Sequence, residues 1–97
     1  MNFNLPFVKF LSSQVSPFQR INTVSPGHIY TKQGVWGHNS LKKPKIVQDM
    51  INEKIPLNRL ANPEEVINVI LFLSSSYSSY INGQLINVDG GMSIFQN

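Results

Sequence analysis

The stretch "NPEEVINVILFLSSSYSSYINGQLINVDGG", Asn62 to Gly91, decides the fold. Asn62 sits where an N-cap amide belongs, Pro63 occupies the first helical position, and Glu64 and Glu65 fall in the first turn. An Asn cap satisfies free backbone N–H groups, and Glu65 is placed to reach back as in a capping box. Both acids favour the positive end of a helix. Val66, Ile67, Val69, Ile70, Leu71, Phe72 and Leu73 then place apolar side chains nearly all round the helix axis. A helix apolar on every side needs burial on several faces. The serine-rich run that follows reads as a polar loop. Asn82-Gly83 reads as a turn, Gln84 to Asp89 as a strand, and Gly90-Gly91 as its end.

Upstream, "INTVSPGHIYT" (Ile21–Thr31) supplies a strand over Ile21–Ser25, rich in β-branched residues and closed by Pro26-Gly27. Strand, loop, helix, strand is a βαβ unit, so the fold class is α/β with parallel strands. Between the strand and the Asn62 helix, residues 28–43 show no clear period and read as a long loop. Loops of that length in compact domains are often functional. Pro44 to Glu53 reads as a short helix with Ile46, Val47, Met50 and Ile51 on one side, ended at Lys54-Ile55-Pro56. Leu5 to Val15 reads as another, with Phe7, Val8, Leu11 and Val15 near helical spacing and Pro17 stopping it.

A chain of 97 residues implies one domain and buries only about 60–65% of its unfolded surface. Charged residues make up 13%, well below the roughly 25% of average domains. A low-charge chain with an all-round apolar helix calls for a covering layer, either more chain or a second subunit. The net charge of +3 comes from dispersed cations, the densest group being Lys42, Lys43 and Lys45. No basic stripe alternates with aromatics, which excludes nucleic acid as the expected partner. There is no cysteine, and the apolar start carries Lys9 without a basic leader. No stretch approaches the ~20 apolar residues of a membrane span. These features give the expectation of a cytoplasmic protein with no membrane partner.

Candidate chemistry is sparse. His28 and His38 are two histidines ten apart, too few for a metal site, so no metal is expected. The serines at 74–79 read as a solvated loop rather than a nucleophile cluster. Trp36 is placed equally well in a substrate pocket or a core gap. Glu64 and Glu65 are helix-start residues. Pro26-Gly27 taken alone is a simple turn.

The pieces "RINTVSPGHIYT", "IPLNRLANPEEVINVILFLSSSYSSYINGQ" and "INVDGG" occur together and in order. In that order they resemble the C-terminal part of the short-chain dehydrogenase/reductase family, over about Arg20 to Gly91 and more loosely the helix before it. The resemblance implies a Rossmann-type doubly wound parallel sheet, with residues 1–97 a single partial domain, Ile21–Ser25 and Gln84–Asp89 its last two strands, and 28–56 the substrate-loop region. It implies NAD or NADP as cofactor, with only part of the cofactor site on this chain so that binding by the chain alone is not expected, and a small-molecule carbonyl or alcohol as substrate of the parent enzyme. In open parallel sheets ligands sit beyond the carboxyl ends of the strands. The residues matching Pro26, Gly27, Ile29 and Thr31 line the nicotinamide end of the family's cofactor: the Ile29 backbone meets the carboxamide, and the Thr31 hydroxyl bonds the carboxamide or a phosphate. A homo-oligomer packed through the 63–73 helix and the 84–89 strand is also implied.

The same resemblance asks for a Tyr-x-x-x-Lys pair, a catalytic serine and a Gly-rich pyrophosphate loop. Tyr30 is followed four on by Gly34, Tyr77 by Ile81 and Tyr80 by Gln84, so the pair is absent from these residues, as are the catalytic serine and the Gly-rich loop, and no catalytic residue is assigned. The family's ribose-binding acid also belongs upstream, so Asp89 does not take that role. Two functions are open at this point: part of an NAD(P)-dependent oxidoreductase, inactive alone, or a non-catalytic module that binds a partner through its apolar helix and last strand. A strand with one bare edge predicts association of the chain.

Overall fold

The computed structural model of the protein describes residues 4–95. Six elements of regular structure and two single 3₁₀ turns follow one another: α1 (Asn4–Val15), β1 (Thr23–Pro26), α2 (Val35–Lys42), α3 (Pro44–Lys54), α4 (Pro63–Leu73), a 3₁₀ turn at Ser76–Ser78, β2 (Leu85–Val88) and a 3₁₀ turn at Met92–Phe95. The strands pair in parallel, with Thr23 opposite Leu85 and Pro26 opposite Val88. Helix α4 is the crossover and packs on both strands, and α1 packs on β2. This is the α/β class that the sequence pattern implies.

Helix α4 begins as its sequence dictates. The Asn62 backbone N–H donates to Glu65 Oε1 at 3.0 Å, the reach-back half of a capping box. Its far end is held by Arg20. One guanidinium nitrogen donates to the Leu73 and Ser75 carbonyls at 3.2 and 3.3 Å. The other donates to the Ser78 carbonyl (2.8 Å), the Ser78 Oγ (3.2 Å) and the Ile81 carbonyl (3.0 Å). The last carbonyls of a helix have no partner of their own and carry its negative end, so a cation there both caps and neutralises. Ser78 is 1% exposed, and its hydroxyl lies 2.9 Å from the Leu73 carbonyl. The expectation of a solvated serine loop is therefore corrected at Ser78: this serine closes the turn from inside, whereas Tyr77 and Tyr80 stay in solvent.

The strands are shorter than the sequence suggests. Ile21, Asn22 and Gln84 are tied by side chains instead of the ladder. The Ile21 N–H donates to Asn82 Oδ1. The Asn22 amide donates to the Ile81 carbonyl and accepts from the Gln84 N–H, each at 3.0 Å. Pro26 extends β1 by one residue. Thr23 and Gly27 donate to Gln84 and Val88 on the β2 side, so alternation turns Val24 and Pro26 to the opposite edge, where proline's missing N–H breaks no bond of this ladder. That edge of β1 has no strand beside it among the described residues. A trough lined by Asn22, Val24, Ile70 and Leu73 runs along it.

The core is small. Val47, Ile51 and Ile55 form its buried cluster, with Trp36, Met50, Leu60 and Met92 packed around it. The region 28–43, expected as a loop, contains α2. Its helical character is hidden in sequence because its one buried residue is Gly37, which has no side chain to mark a face. The radius of gyration is 15.9 Å, against about 13 Å for a compact domain of this length. The accessible surface is 7220 Å², against about 5600 Å² for a folded monomer of this mass. Ile67, Ile70, Leu71 and Phe72 of α4 are 49, 46, 61 and 45% exposed. Among the described residues, this face of the apolar helix is left without a covering layer.

Replacing Arg20 by alanine removes the donors from the carbonyls of Leu73, Ser75, Ser78 and Ile81. Urea unfolding of R20A is expected to lose about 2–4 kcal/mol, and S78A about 1–2 kcal/mol. Equal, near-zero losses would place the stability elsewhere.

Candidate functional site

The corner after β1 lies at the carboxyl ends of both strands. Pro26 is exposed there, and the Gly27 N–H donates to the Val88 carbonyl at 2.9 Å. A Cβ on Gly27 would stand 2.8 Å from both Cα and Cβ of Asp89. Glycine at this position is thus required by the neighbouring strand end, which closes against it.

Ile29 forms an isolated parallel bridge with Ala61. The hydrogen bonds belong to its neighbours: the Ala61 N–H donates to the His28 carbonyl at 3.0 Å, and the Tyr30 N–H donates to the Ala61 carbonyl at 2.9 Å. Alternation along an extended chain turns Ile29's own N–H and C=O to the other side. Among the described residues neither has a protein partner. One donor and one acceptor therefore stand side by side on a backbone held by a bridge.

Thr31 follows, exposed, and its carbonyl accepts the Gly34 N–H at 3.0 Å. Helix α2 then folds back so that Gly37 lies beneath the carbonyls of Thr31 and Lys32, with no room there for a side chain. A mid-helix glycine costs about 1 kcal/mol relative to alanine, which this close approach explains. The adjacent Trp36 stacks on His28 with ring centroids 4.5 Å apart at 41° and packs on the Val47–Ile51–Ile55 cluster. Of its two readings, the core role is therefore the one its contacts support.

A cleft of about 410 Å³ lies beside the corner, with His28, Leu57, Arg59, Glu65, Val88 and Asp89 among its walls. Pro26, Gly27, Ile29 and Thr31 do not line it. Its charged groups are already engaged. The Arg59 guanidinium grips Glu65 in a fork, at 2.7 and 2.8 Å. That fork, with the Asn62 N–H, brings the Glu65 carboxyl from the usual 4.5 down to about 2. Asp89 accepts from the backbone N–H groups of Gly91 and Ser93, each at 3.0 Å. Burial works to raise its pKa, but these bonds outweigh burial and hold the carboxyl below its ordinary value. Asp89 thus closes the turn after β2. No set of three or more metal-ligating side chains occurs among the described residues. No helix among them is long and apolar enough to cross a membrane.

Sequence reading found the corner but not Arg20, Gly34 or Gly37. Arg20 stood inside a quoted piece of sequence; its partners are backbone carbonyls, which no residue pattern reveals. The two glycines act through the side chains they lack.

A family model described as enoyl-(acyl carrier protein) reductase matches residues 5–93. The 3-oxoacyl-(acyl-carrier-protein) reductase FabG of Thermotoga maritima is 44% identical over 75 residues, covering 77% of this chain and 28% of that protein. A short-chain dehydrogenase/reductase from Brucella melitensis superposes with a TM-score of 0.69 at 33% identity, over 91% of this chain and 31% of its own. A 4-hydroxyisoleucine dehydrogenase complexed with NADH superposes with a TM-score of 0.81 at 22% identity, over 96% of this chain and 37% of its own, a likeness of fold. The chain spans about a third of the length of the curated relatives it matches.

The Glu65 fork has a pH signature. Its folded-state pKa is depressed, so its contribution is fully present above the unfolded value of 4.5 and fades as pH falls toward about 2. Asp89 adds loss in the same direction. Thermal melts of E65Q between pH 4.5 and 2 are expected to show a shallower decline than the parent chain, with a residual slope from Asp89. Parallel declines in the two proteins would show that the fork contributes nothing to folding.

Proposed function

The chain belongs to the short-chain dehydrogenase/reductase family, and on that footing we propose that it forms the nicotinamide-end wall of an NAD(P)-dependent oxidoreductase. The observation that carries this reading is the unpartnered N–H and C=O pair of Ile29, set at the carboxyl ends of the strands. A carboxamide offers the complementary acceptor and donor. The Ile29 N–H donates to its oxygen, and the Ile29 carbonyl accepts from its amide. Pro26 and Gly27 hold the bend, and the Thr31 hydroxyl bonds the carboxamide or a nearby phosphate. When bound, the nicotinamide supplies or takes up the hydride exchanged with a carbonyl or alcohol substrate. Residues 28–56, with α2 and α3, form the cover on the substrate side. A cytoplasmic setting accords with a chain that has no cysteine.

The proton for that exchange needs an acid/base group. The family pattern is a tyrosine with a lysine four residues on, and these 97 residues contain no such pair. This chain by itself therefore carries a wall and not the complete reaction centre. The exposed α4 face, with β2 beside it, is the surface on which a second copy packs. The same exposed face favours the second reading, a non-catalytic module that uses this surface alone.

Two measurements test what both readings require. Assayed with NADH and NADPH against carbonyl substrates, the purified chain is expected to give no turnover above a buffer control; turnover free of host reductases would contradict the incomplete centre. In sedimentation, the chain is expected to associate and L71E to shift toward monomer. A parent chain that is monomeric throughout would contradict packing of a second copy on the α4 surface.

A further inference from the structure

We propose that Gly34 is a positioning residue that sets the orientation of the Thr31 hydroxyl, with Gly37 holding the backbone beneath it; this rests on the reading of Thr31 as a cofactor-facing group. Gly34 is the N-cap of α2, with φ −84° and ψ −179°. That is extended backbone, open to any residue. Glycine makes no side-chain cap there, and Ser, Thr, Asn or Asp would supply one. Neither conformation nor capping explains the residue; the space around it does. A Cβ at Gly34 would overlap the Thr31 Oγ1, whereas it would meet the Thr31 Cβ and carbonyl oxygen at ordinary contact distances of 3.6 and 3.5 Å. The hydroxyl alone is in the way.

The two glycines differ in what must yield. At Gly34 the obstructing atom ends a side chain with one free torsion, so an added methyl is accommodated by turning Thr31 about χ1 into another staggered well. The fold survives and the hydroxyl is redirected. At Gly37 the obstructing atoms are the carbonyls of Thr31 and Lys32, so a side chain there must push the loop and α2 apart. Because Trp36 ties the same helix to His28 and to the core, α2 and the Thr31 turn are built as one unit. The cover on the substrate side and the hydroxyl on the cofactor side thus share a single mounting.

The test compares G34A, T31A and the double variant with the parent chain, reading the Thr31 χ1 rotamer by NMR couplings and NADH and NADPH affinity by titration. G34A is expected to melt close to the parent, to switch the Thr31 rotamer and to weaken cofactor binding roughly three- to tenfold, the range for one lost hydrogen bond. In the T31A background the obstructing atom is gone, so G34A is expected to add no further weakening. An unchanged Thr31 rotamer in G34A overturns the proposal, as does an equal additional loss in the T31A background. If the parent chain, which carries only part of the cofactor site, binds neither cofactor, the rotamer comparison by itself decides the coupling of Gly34 to Thr31. G37A serves as contrast: it is expected to lower the melting temperature and shift the emission of Trp36, the chain's one tryptophan.

Discussion

One guanidinium joins the parts of this molecule that sequence places far apart. Arg20 stands just before β1, and its donors reach the end of α4, the buried serine turn and the residue that starts the approach to β2. A parallel pair of strands cannot be closed by a hairpin; it depends on a crossover returning in register. Arg20 fixes where that crossover ends. Asn22 completes the task by bonding both Ile81 and Gln84. The parallel register, with Pro26 opposite Val88, follows, and with it the corner beyond the strand ends.

The corner is built almost wholly from backbone. Gly27 closes on Asp89, Ile29 is held by Ala61, and Gly37 supports the Thr31 turn. In the proposed role, a backbone wall suits a flat amide-bearing ring, because it presents a donor and an acceptor at fixed spacing without the entropy cost of ordering side chains. The charged groups nearby play a different part. Arg59 with Glu65 starts α4, and Asp89 ends β2, so each is engaged in holding an element in place. The polar groups of the proposed wall are then backbone N–H and C=O groups and one hydroxyl.

How much of this was legible in the sequence follows from which forces leave a pattern in residue types. Helix α4 was plain, since Asn62, Pro63 and Glu65 mark its start and a continuous apolar run marks its body. The same run gives the expectation of a covering layer, and in this chain Ile67, Ile70, Leu71 and Phe72 are exposed. The corner was visible as Pro26-Gly27 between β-branched residues and a hydroxyl. Helix α2 was not visible, because it is held by close backbone approach at Gly37 rather than by an apolar stripe. Ser78 is hidden from sequence because composition makes a serine run look solvated, while its carbonyl and hydroxyl meet a guanidinium 58 residues away in sequence.

The proposed wall depends most directly on Ile29 offering a free amide between two bonded neighbours. Native-state hydrogen exchange reads each amide separately. Tyr30 and Ala61, whose N–H groups are engaged in the bridge, are expected to be protected, and Ile29 to exchange much faster than either. Protection of Ile29 equal to that of Tyr30, or three amides all exchanging at the unprotected rate, would contradict a preformed wall at this corner.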